Sequence, residues 1–283
     1  MGKIAFVLDS SCFLSESEVH DLGCYFIPLH VIIEGEDYLE GKNLDKDRLI
    51  QAIKDKKSVT TSQPSPGEVM ELIKQIKRDG YDSAVVSMIG TGLSRTLENM
   101  MHMSAMEDFK LYAIDSGSVG NAQLYPLLKA KKLVESGMTP EQAVEDVKID
   151  IDTSYTLLLP DDLFHLSRGG RITPTVAALG SMLKIKPILT LVVEEGGEID
   201  IVQKVRTTKK AIKEMTTKSL KEVTNETHDV IVAHFAADEK ALEAKTELEK
   251  QMPGIVVEIK ELTTVIGVHT GLESVGIQVC RKF

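Results

Sequence analysis

Short apolar segments alternate with amphipathic segments through the first half of the chain. The apolar segments KIAFVLD (3–9), YFIPLHVII (25–33), DSAVVSMI (82–89) and KLYAID (110–115) have the length and content of buried strands. Polar segments with helical periodicity separate them, such as LSRTLENMMHMSAME at 93–107. This order predicts a largely parallel sheet with helices on both faces.

Strands follow one another more closely in the second half. IKPILTLVVEEGGEIDIVQKV (185–205) reads as two strands joined at Gly196-Gly197, a hairpin, and further strands are expected at 228–236, 254–262 and 276–282. The predicted fold is therefore α/β with two α/β domains, the second a mixed sheet with helices. We expect the domains to be 1–153 and 154–283, with a ligand between them, where pockets usually form.

Ser65, Pro66 and Glu68 predict the start of a helix. They form a capping box with proline at the first helical position, and the helix should end at Gly80. Capping needs one hydroxyl, so Thr60, Thr61 and Ser62, which precede this box, are left without a local role.

Composition excludes several classes of protein. The 283 residues are 42% apolar and 27% charged, and no apolar run reaches the ~18 residues that a membrane helix needs. A net charge of −10 argues against nucleic-acid binding. Three cysteines without metal spacing favour reduced thiols and a cytoplasmic location, with no metal. Neither a nucleotide-binding glycine motif nor a nucleophile elbow is present.

A second hydroxyl-rich segment is GTGLSRT at 90–96, which follows a predicted strand and enters a helix. Ser94 then lies in or beside the first turn, where free N–H groups favour an anion. Either segment alone is explained by helix capping, but the two together suggest a shared anion pocket. The following helix carries Leu97, Met100 and Met101, which fit either an ordinary core or an apolar tunnel that starts at this pocket.

Four cationic or titratable residues have simple structural explanations when taken singly. Arg168 and Arg171 flank the glycines of LFHLSRGGRITP (163–174), where they suit a helix end. Arg206 ends a predicted strand, and His269 lies between two glycines in a segment expected to be a loop.

Taken together, these segments resemble the DegV family over essentially the whole chain. The motifs are TTSQPSP (60–66), GTGLSRT (90–96), HLSRGGRI (165–172), SMLKIKPIL (181–189) and GVHTG (267–271), in the family's order and spacing. The resemblance implies a two-domain α/β protein that binds one long-chain fatty acid and needs no other cofactor. It further implies presentation of the carboxylate to a partner kinase, which phosphorylates it to an acyl phosphate, and transient membrane contact for loading lipid.

The resemblance also implies roles for individual residues. Thr61 and Ser94 would donate hydrogen bonds to the carboxylate, and His269 would lie near it. Arg206 and Ser62 would support the head group during phosphoryl transfer. This chain departs from the usual family pattern at Arg95, after Ser94, and at Leu272-Glu273, after the HTG sequence.

Arg168 and Arg171 are the residues that we expect to dock the kinase.

Two other functions also fit this sequence. One is a hydrolase or acyltransferase with Ser94 as nucleophile and His269 as base. The other is a binder of a different anionic amphiphile that signals through the basic segment 204–221.

Overall fold

The computed structural model describes residues 2–161, 163–178, 185–221 and 223–283, with no description of the Phe164 side chain. Part of the SMLKIKPIL motif, residues 181–184, lies outside the described residues. Within them the chain forms thirteen strands and twelve α-helices.

The first half contains seven strands and seven helices. In chain order they are β1 Ile4–Asp9, α1 Glu16–Asp21, β2 Tyr25–Ile27, β3 His30–Ile33, β4 Glu36–Leu39, α2 Lys46–Lys54, β5 Val59–Ser62, α3 Pro66–Arg78, β6 Ser83–Met88, α4 Thr96–Met106, β7 Lys110–Asp115, α5 Asn121–Glu135, α6 Pro140–Asp146 and α7 Lys148–Thr153.

The predicted parallel sheet is confirmed, with strand order β2-β1-β6-β7 and every pairing parallel. Helices α3 and α4 cover one face and helices α1, α5 and α6 the other. The predicted capping box is present, since Ser65 Oγ accepts from the Glu68 N–H and Glu68 accepts from the Ser65 N–H. Residues 140–153 form two helices, α6 and α7, which meet at Val147.

The pattern of YFIPLHVII predicted one strand. In the structure this segment forms two, β2 and β3. Pro28 lacks an N–H to continue a sheet ladder, and the chain leaves the parallel sheet there. β3 then forms a separate antiparallel sheet of order β4-β3-β5. Residues 59–62, which include the three hydroxyls without a local role, are the edge strand β5 of this small sheet.

The second half contains the remaining six strands and five helices. In chain order they are β8 Tyr155–Leu159, α8 Phe164–Gly169, α9 Pro174–Ala177, β9 Lys186–Val192, β10 Glu198–Val205, α10 Thr208–Ser219, β11 His228–Phe235, α11 Asp238–Gln251, β12 Val257–Glu261, α12 Thr264–Thr270 and β13 Ser274–Arg281. They form a mixed six-stranded sheet of order β10-β9-β8-β13-β11-β12, and β9 and β10 are the predicted hairpin.

The two faces of the six-stranded sheet pack against different parts of the molecule. Alternate residues such as Leu157, Val232 and Ile277 pack with α10 and α11. The intervening residues, among them Leu158 and Ala233, share a core with α12, α2 and the small sheet. This core crosses the boundary predicted at residue 153, because the small sheet belongs to the first 153 residues.

Candidate functional site

A large cavity lies on the side of the six-stranded sheet that faces the small sheet and α12. Its empty volume is about 920 Å³, counting the part that opens to solvent. The apolar lining comes from both halves of the chain: Leu29, Ile89, Leu93, Val119, Leu158, Leu166, Leu191, Ile199, Ala233, Leu262, Val265 and Ile266.

Small residues in the central strands make space for this cavity. Gly276 of β13 lies between Ala233 of β11 and Leu158 of β8 in the strand register, and all three line the cavity. A Cβ on Gly276 would lie 3.3 Å from the Leu157 carbonyl oxygen. The small side chains in the middle of the sheet therefore leave space above it, in which an apolar chain fits.

Thr61 and His269 meet at the polar end of the cavity. Thr61 lies on β5, and its Oγ1 is 2.7 Å from His269 Nε2, although 208 positions separate the two residues. Side chains alternate along a strand, so Thr61 points the same way as the buried Val59, whereas Ser62 is exposed at the rim. The Ser62 hydroxyl donates to the Gln63 carbonyl at 3.0 Å.

His269 lies in the last turn of α12 rather than in the loop that the flanking glycines predicted. Burial of the ring, together with the positive charges of Arg171 and His165, lowers the pKa of His269 to about 4. The imidazole is therefore neutral at pH 7. Gly169 permits its close approach to the RGGR turn, because a Cβ there would lie 2.4 Å from His269 Nδ1.

Ser94 lies in the turn between β6 and α4 and lines the cavity. The Leu93 and Ser94 N–H groups both donate to the Gly90 carbonyl, which shapes this turn. The Ser94 Oγ is 2.9 Å from Thr96 Oγ1 and does not cap α4. The Thr91 hydroxyl donates to Asp115, which ties the start of the turn to the end of β7.

Two polar side chains that the sequence did not suggest, Asn99 and His30, hold the hydroxyl segments in place. Asn99 of α4 donates to the Pro64 carbonyl at 2.9 Å, which joins the Ser94 turn to the segment after Thr61. His30 of β3 lies between Asp37 of β4, at 2.9 Å, and Glu68 of α3, at 3.1 Å. These contacts fix Thr61 and Ser94 on the same side of the cavity.

Arg171 supplies the guanidinium at this end of the cavity. Its Nε donates to the Leu93 carbonyl at 3.2 Å, and a second nitrogen donates to the Gly169 carbonyl. Arg171 lines the cavity and lies near enough to His269 to lower its pKa. Arg171 is partly buried at the cavity mouth, and the expectation that it docks a kinase stays a prediction. Arg168 is exposed.

Arg206 does not belong to this constellation, contrary to its predicted role beside the carboxylate. It is exposed just after β10 and does not line the cavity. The preceding residue, Val205, packs into the core on the opposite face of the sheet, with α10. A short match around an arginine could not distinguish Arg206 from Arg171.

The apolar tunnel predicted from Leu97, Met100 and Met101 is also misplaced. Leu97 and Met100 are buried in a closed core with α3 and β6, and Met101 is 40% exposed. None of the three lines the cavity. The helix α4 turns its apolar side toward α3 and the parallel sheet, so these residues are ordinary core and surface residues.

The two departures from the usual family pattern leave the cavity open. The Arg95 side chain is 83% exposed and lies 3.8 Å from Glu98. The Glu273 carboxylate lies 3.3 Å from Lys240. Neither charge lines the cavity among the described residues.

A second, basic opening adjoins the polar end of the cavity. Lys54, Lys56 and Lys57, from the end of α2 and the turn before β5, line it together with Arg168 of α8. It shares Thr61, Arg171 and His269 with the cavity, and no acidic side chain lines it in the part of the chain that the structure describes. The polar end of the cavity thus faces an opening suited to anions.

The hydrogen bonds do not form the dyad that an esterase would need. His269 Nε2 contacts Thr61, and the Ser94 hydroxyl contacts Thr96.

Among the described residues, no helix combines the length and apolar content required to cross a bilayer.

Comparison with known proteins gives matches along the whole chain. The signature of the DegV family, described as an uncharacterised protein family, matches residues 3–282. A DegV domain-containing protein of Listeria monocytogenes, lmo2514, is 31% identical over 278 residues, which is 97% of each chain.

Two solved structures show the same fold. The fatty acid binding DegV family protein SAG1342 from Streptococcus agalactiae superposes with a TM-score of 0.91 at 28% identity and covers 100% of both chains. DegV from Bacillus subtilis, described as a fatty acid binding protein, has a TM-score of 0.84 at 30% identity, again with 100% of both chains covered.

Proposed function

Because this chain belongs to the DegV family, we propose that it binds one long-chain fatty acid in the cavity, with the carboxylate at Thr61 and Ser94. The observation that carries this proposal is the make-up of the site: an apolar cavity with hydroxyls and a guanidinium at one end. The two similar structures described as fatty acid binding proteins support it.

The two ends of the ligand contribute differently to binding. A sixteen-carbon chain gains up to ~11 kcal/mol at ~0.8 kcal/mol per buried CH₂, before several kcal/mol of immobilisation cost. Charge-assisted hydrogen bonds from Thr61, Ser94 and Arg171 add about 1.5–3 kcal/mol each. The apolar cavity therefore sets affinity, and the polar end sets the direction in which the chain enters.

The first experiment asks whether the purified protein carries lipid. Native mass spectrometry and mass spectrometry of a solvent extract should show about one fatty acid per chain after expression in bacteria. Delipidated protein should take up hexadecanoic acid again. Protein that carries no lipid and takes up none when offered it would refute the proposal.

A double variant tests the head-group residues. Thr61→Ala with Ser94→Ala should weaken hexadecanoic acid binding while leaving the fold intact, as followed by circular dichroism. Ser136→Ala with Thr153→Ala is the matched control, because both hydroxyls are exposed, donate to nearby backbone carbonyls and lie outside the cavity. Unchanged affinity in the double variant would show that other residues hold the carboxylate.

We further propose that a partner kinase reaches the carboxylate through the basic opening and phosphorylates it. The opening lies beside Thr61 and His269, and its lysines offer charge to a phosphoryl group and to an acidic partner surface. The protein itself would act as the binding subunit. Arg171 would support the added negative charge of the acyl phosphate.

Phosphoryl transfer with a bacterial fatty acid kinase tests this second step. Lys54→Glu with Lys56→Glu should lower turnover, and a higher kinase concentration should restore it, while lipid binding stays unchanged. Lys209→Glu with Lys210→Glu makes the same charge change on α10, in the basic segment 204–221, and should leave turnover near the parent value. Equal effects of both pairs would contradict docking at the basic opening.

A further inference from the structure

The β9–β10 hairpin ends against the turn that carries Ser94. The Gly92 N–H donates to the Gly196 carbonyl at 2.9 Å, and Gly92 lies two positions before Ser94. A Cβ on Gly92 would lie 2.6 Å from the Glu195 carbonyl oxygen, and one on Gly196 would lie 2.7 Å from the Gly92 nitrogen. The two backbones therefore touch directly, which only glycine permits at these positions.

A second loop of the parallel sheet contacts the hairpin tip, residues 193–197. Gly117 lies in the turn after β7, and a Cβ on Gly117 would lie 2.9 Å from the Val193 Cα. Asp115 of β7 joins this turn to the Ser94 turn, because it accepts from the Gly117 N–H at 3.0 Å and from the Thr91 hydroxyl. The hairpin tip is thus held against the loops that follow both β6 and β7.

The same hairpin holds the segment that carries Arg171. Within β10, Ile199 accepts from the Thr173 N–H at 3.0 Å, and its own N–H donates to the Arg171 carbonyl at 3.4 Å. The Thr173 hydroxyl donates to the Asp200 carboxylate at 2.8 Å. Ile199 is three positions from Gly196, about 10 Å along an extended strand. One short, paired element therefore contacts both turns that supply the polar end of the cavity.

A further hydrogen bond closes these contacts into a ring. Arg171 Nε donates to the carbonyl of Leu93, the residue before Ser94, at 3.2 Å. The ladder between β9 and β10 fixes the length of the hairpin. A movement of the tip would therefore shift Ser94 relative to Arg171, although Gly196 itself does not line the cavity.

Resting on the proposed function, we infer that the hairpin tip is the positioning element of the carboxylate site. It holds the Ser94 hydroxyl and the Arg171 guanidinium at the separation that suits one carboxylate, and it contributes no atom to the ligand contact. Gly196 is the positioning residue for the Ser94 turn, and Asp200 is the positioning residue for the Arg171 turn. Hydrogen bonds weaken steeply as their geometry departs from the optimum, so displacement of the tip weakens the grip on the carboxylate.

The test compares two ligands that share one chain and differ at the head. The delipidated full chain is titrated with hexadecanoic acid and with hexadecan-1-ol, which has no carboxylate. Gly196→Ala places a Cβ against the Ser94 turn. It should weaken acid binding about tenfold or more and change alcohol binding less than about twofold.

Gly80→Ala is the matched control for backbone strain. Gly80 has a positive φ of +84°, against +69° for Gly196, and a Cβ on Gly80 would meet nothing within 4 Å. It follows α3, at the opposite end of the parallel sheet from the Ser94 turn. This variant should leave both affinities at the parent values.

A second pair of variants tests the Arg171 side without changing a glycine. Asp200→Ala removes the acceptor of the Thr173 hydroxyl and should weaken acid binding about threefold or more, again with little effect on the alcohol. Asp200→Asn loses the same charge but keeps an oxygen acceptor, so its acid affinity should stay near the parent value. This pair decides the question if Gly196→Ala does not fold, as judged by circular dichroism.

The carboxyl carbon of the ligand gives an independent measurement. Hexadecanoic acid labelled with carbon-13 at C1 should show a bound carboxyl resonance that moves in Gly196→Ala and Asp200→Ala. The resonance should stay at the parent position in Gly80→Ala and Asp200→Asn. A merely structural role for the hairpin would lower the unfolding free energy of the variants without moving this resonance.

The outcomes separate this inference from the proposed function. If the acid and the alcohol lose affinity equally in Gly196→Ala and Asp200→Ala, the hairpin shapes the cavity as a whole and the inference is wrong. It is also wrong if both variants keep the parent's acid affinity and carboxyl resonance. If the parent protein binds no fatty acid at all, the proposed function itself fails, and this inference with it.

Discussion

The core beneath α4 and the cavity over the six-stranded sheet are built from the same kinds of apolar side chain, yet only the second contains space. Beneath α4, Leu97 and Met100 are buried against α3 and β6, and neither residue lines the cavity. Over the sheet, Gly276 and Ala233 leave the floor low. Apolar periodicity therefore predicts burial, and side-chain size at facing positions decides whether burial leaves a cavity.

The most severe test of this comparison is one substitution made in both regions. Ala233→Phe should fill the cavity and weaken fatty acid binding about a thousandfold, because the ring occupies the path of the acyl chain. Its unfolding free energy should stay close to that of the parent. Ala84→Phe, in the closed core, should instead destabilise the fold by about 1–3 kcal/mol or more. Isothermal binding and denaturant unfolding measure the two effects, and the reverse pattern would overturn the comparison.

Truncation of a methionine gives the next largest effect. Met100→Ala should cost about 2–5 kcal/mol of unfolding free energy in the ligand-free protein, because a filled core cannot collapse fully around the lost atoms. Fatty acid affinity should be unchanged. Met101→Ala, at a 40% exposed position, should change stability by less than about 0.5 kcal/mol. Loss of lipid affinity in Met100→Ala would show that α4 forms part of the cavity wall.

The two arginines provide a third test, at the polar end. Arg171→Ala should weaken fatty acid binding about ten- to hundredfold, as expected for the loss of a charged partner of the carboxylate. Arg206→Ala should have no measurable effect, because Arg206 does not line the cavity. Equal affinities for the two variants, or a larger loss in Arg206→Ala, would contradict the placement of the head group.

The smallest expected effect is the pH dependence that His269 gives to the ligand-free protein. Its pKa is lowered to about 4 in the folded state, so between pH 6.5 and 4 only the unfolded state takes up the proton. Stability should therefore fall as pH falls through this window, by about 1–2 kcal/mol after allowance for the partial exposure of the ring.

Denaturant unfolding at several pH values isolates this contribution. His269→Gln should show a shallower loss of stability than the parent between pH 6.5 and 4, since the variant has no group there to titrate. Parallel curves for the two proteins would show that His269 is not held neutral by burial and Arg171.

The sequence alone determined the features that depend on a few neighbouring residues. The Ser65-Pro66-Glu68 cap, the hairpin at Gly196-Gly197 and a parallel sheet with helices on both faces were all predicted correctly. Backbone dihedral preferences and capping hydrogen bonds act within one turn, so the residues that produce them are adjacent in the chain.

Only the tertiary structure decided which residues share a site. Thr61 and His269 are 208 positions apart and meet because β5 packs against α12. Arg171 reaches the cavity mouth where Arg206 does not, although each follows an ordinary local pattern, and Met100 faces a closed core although its spacing suits a tunnel. Strand register, sheet face and the volumes of residues on opposite elements decide such contacts. All three depend on how distant segments pack in the folded chain and not on the local sequence.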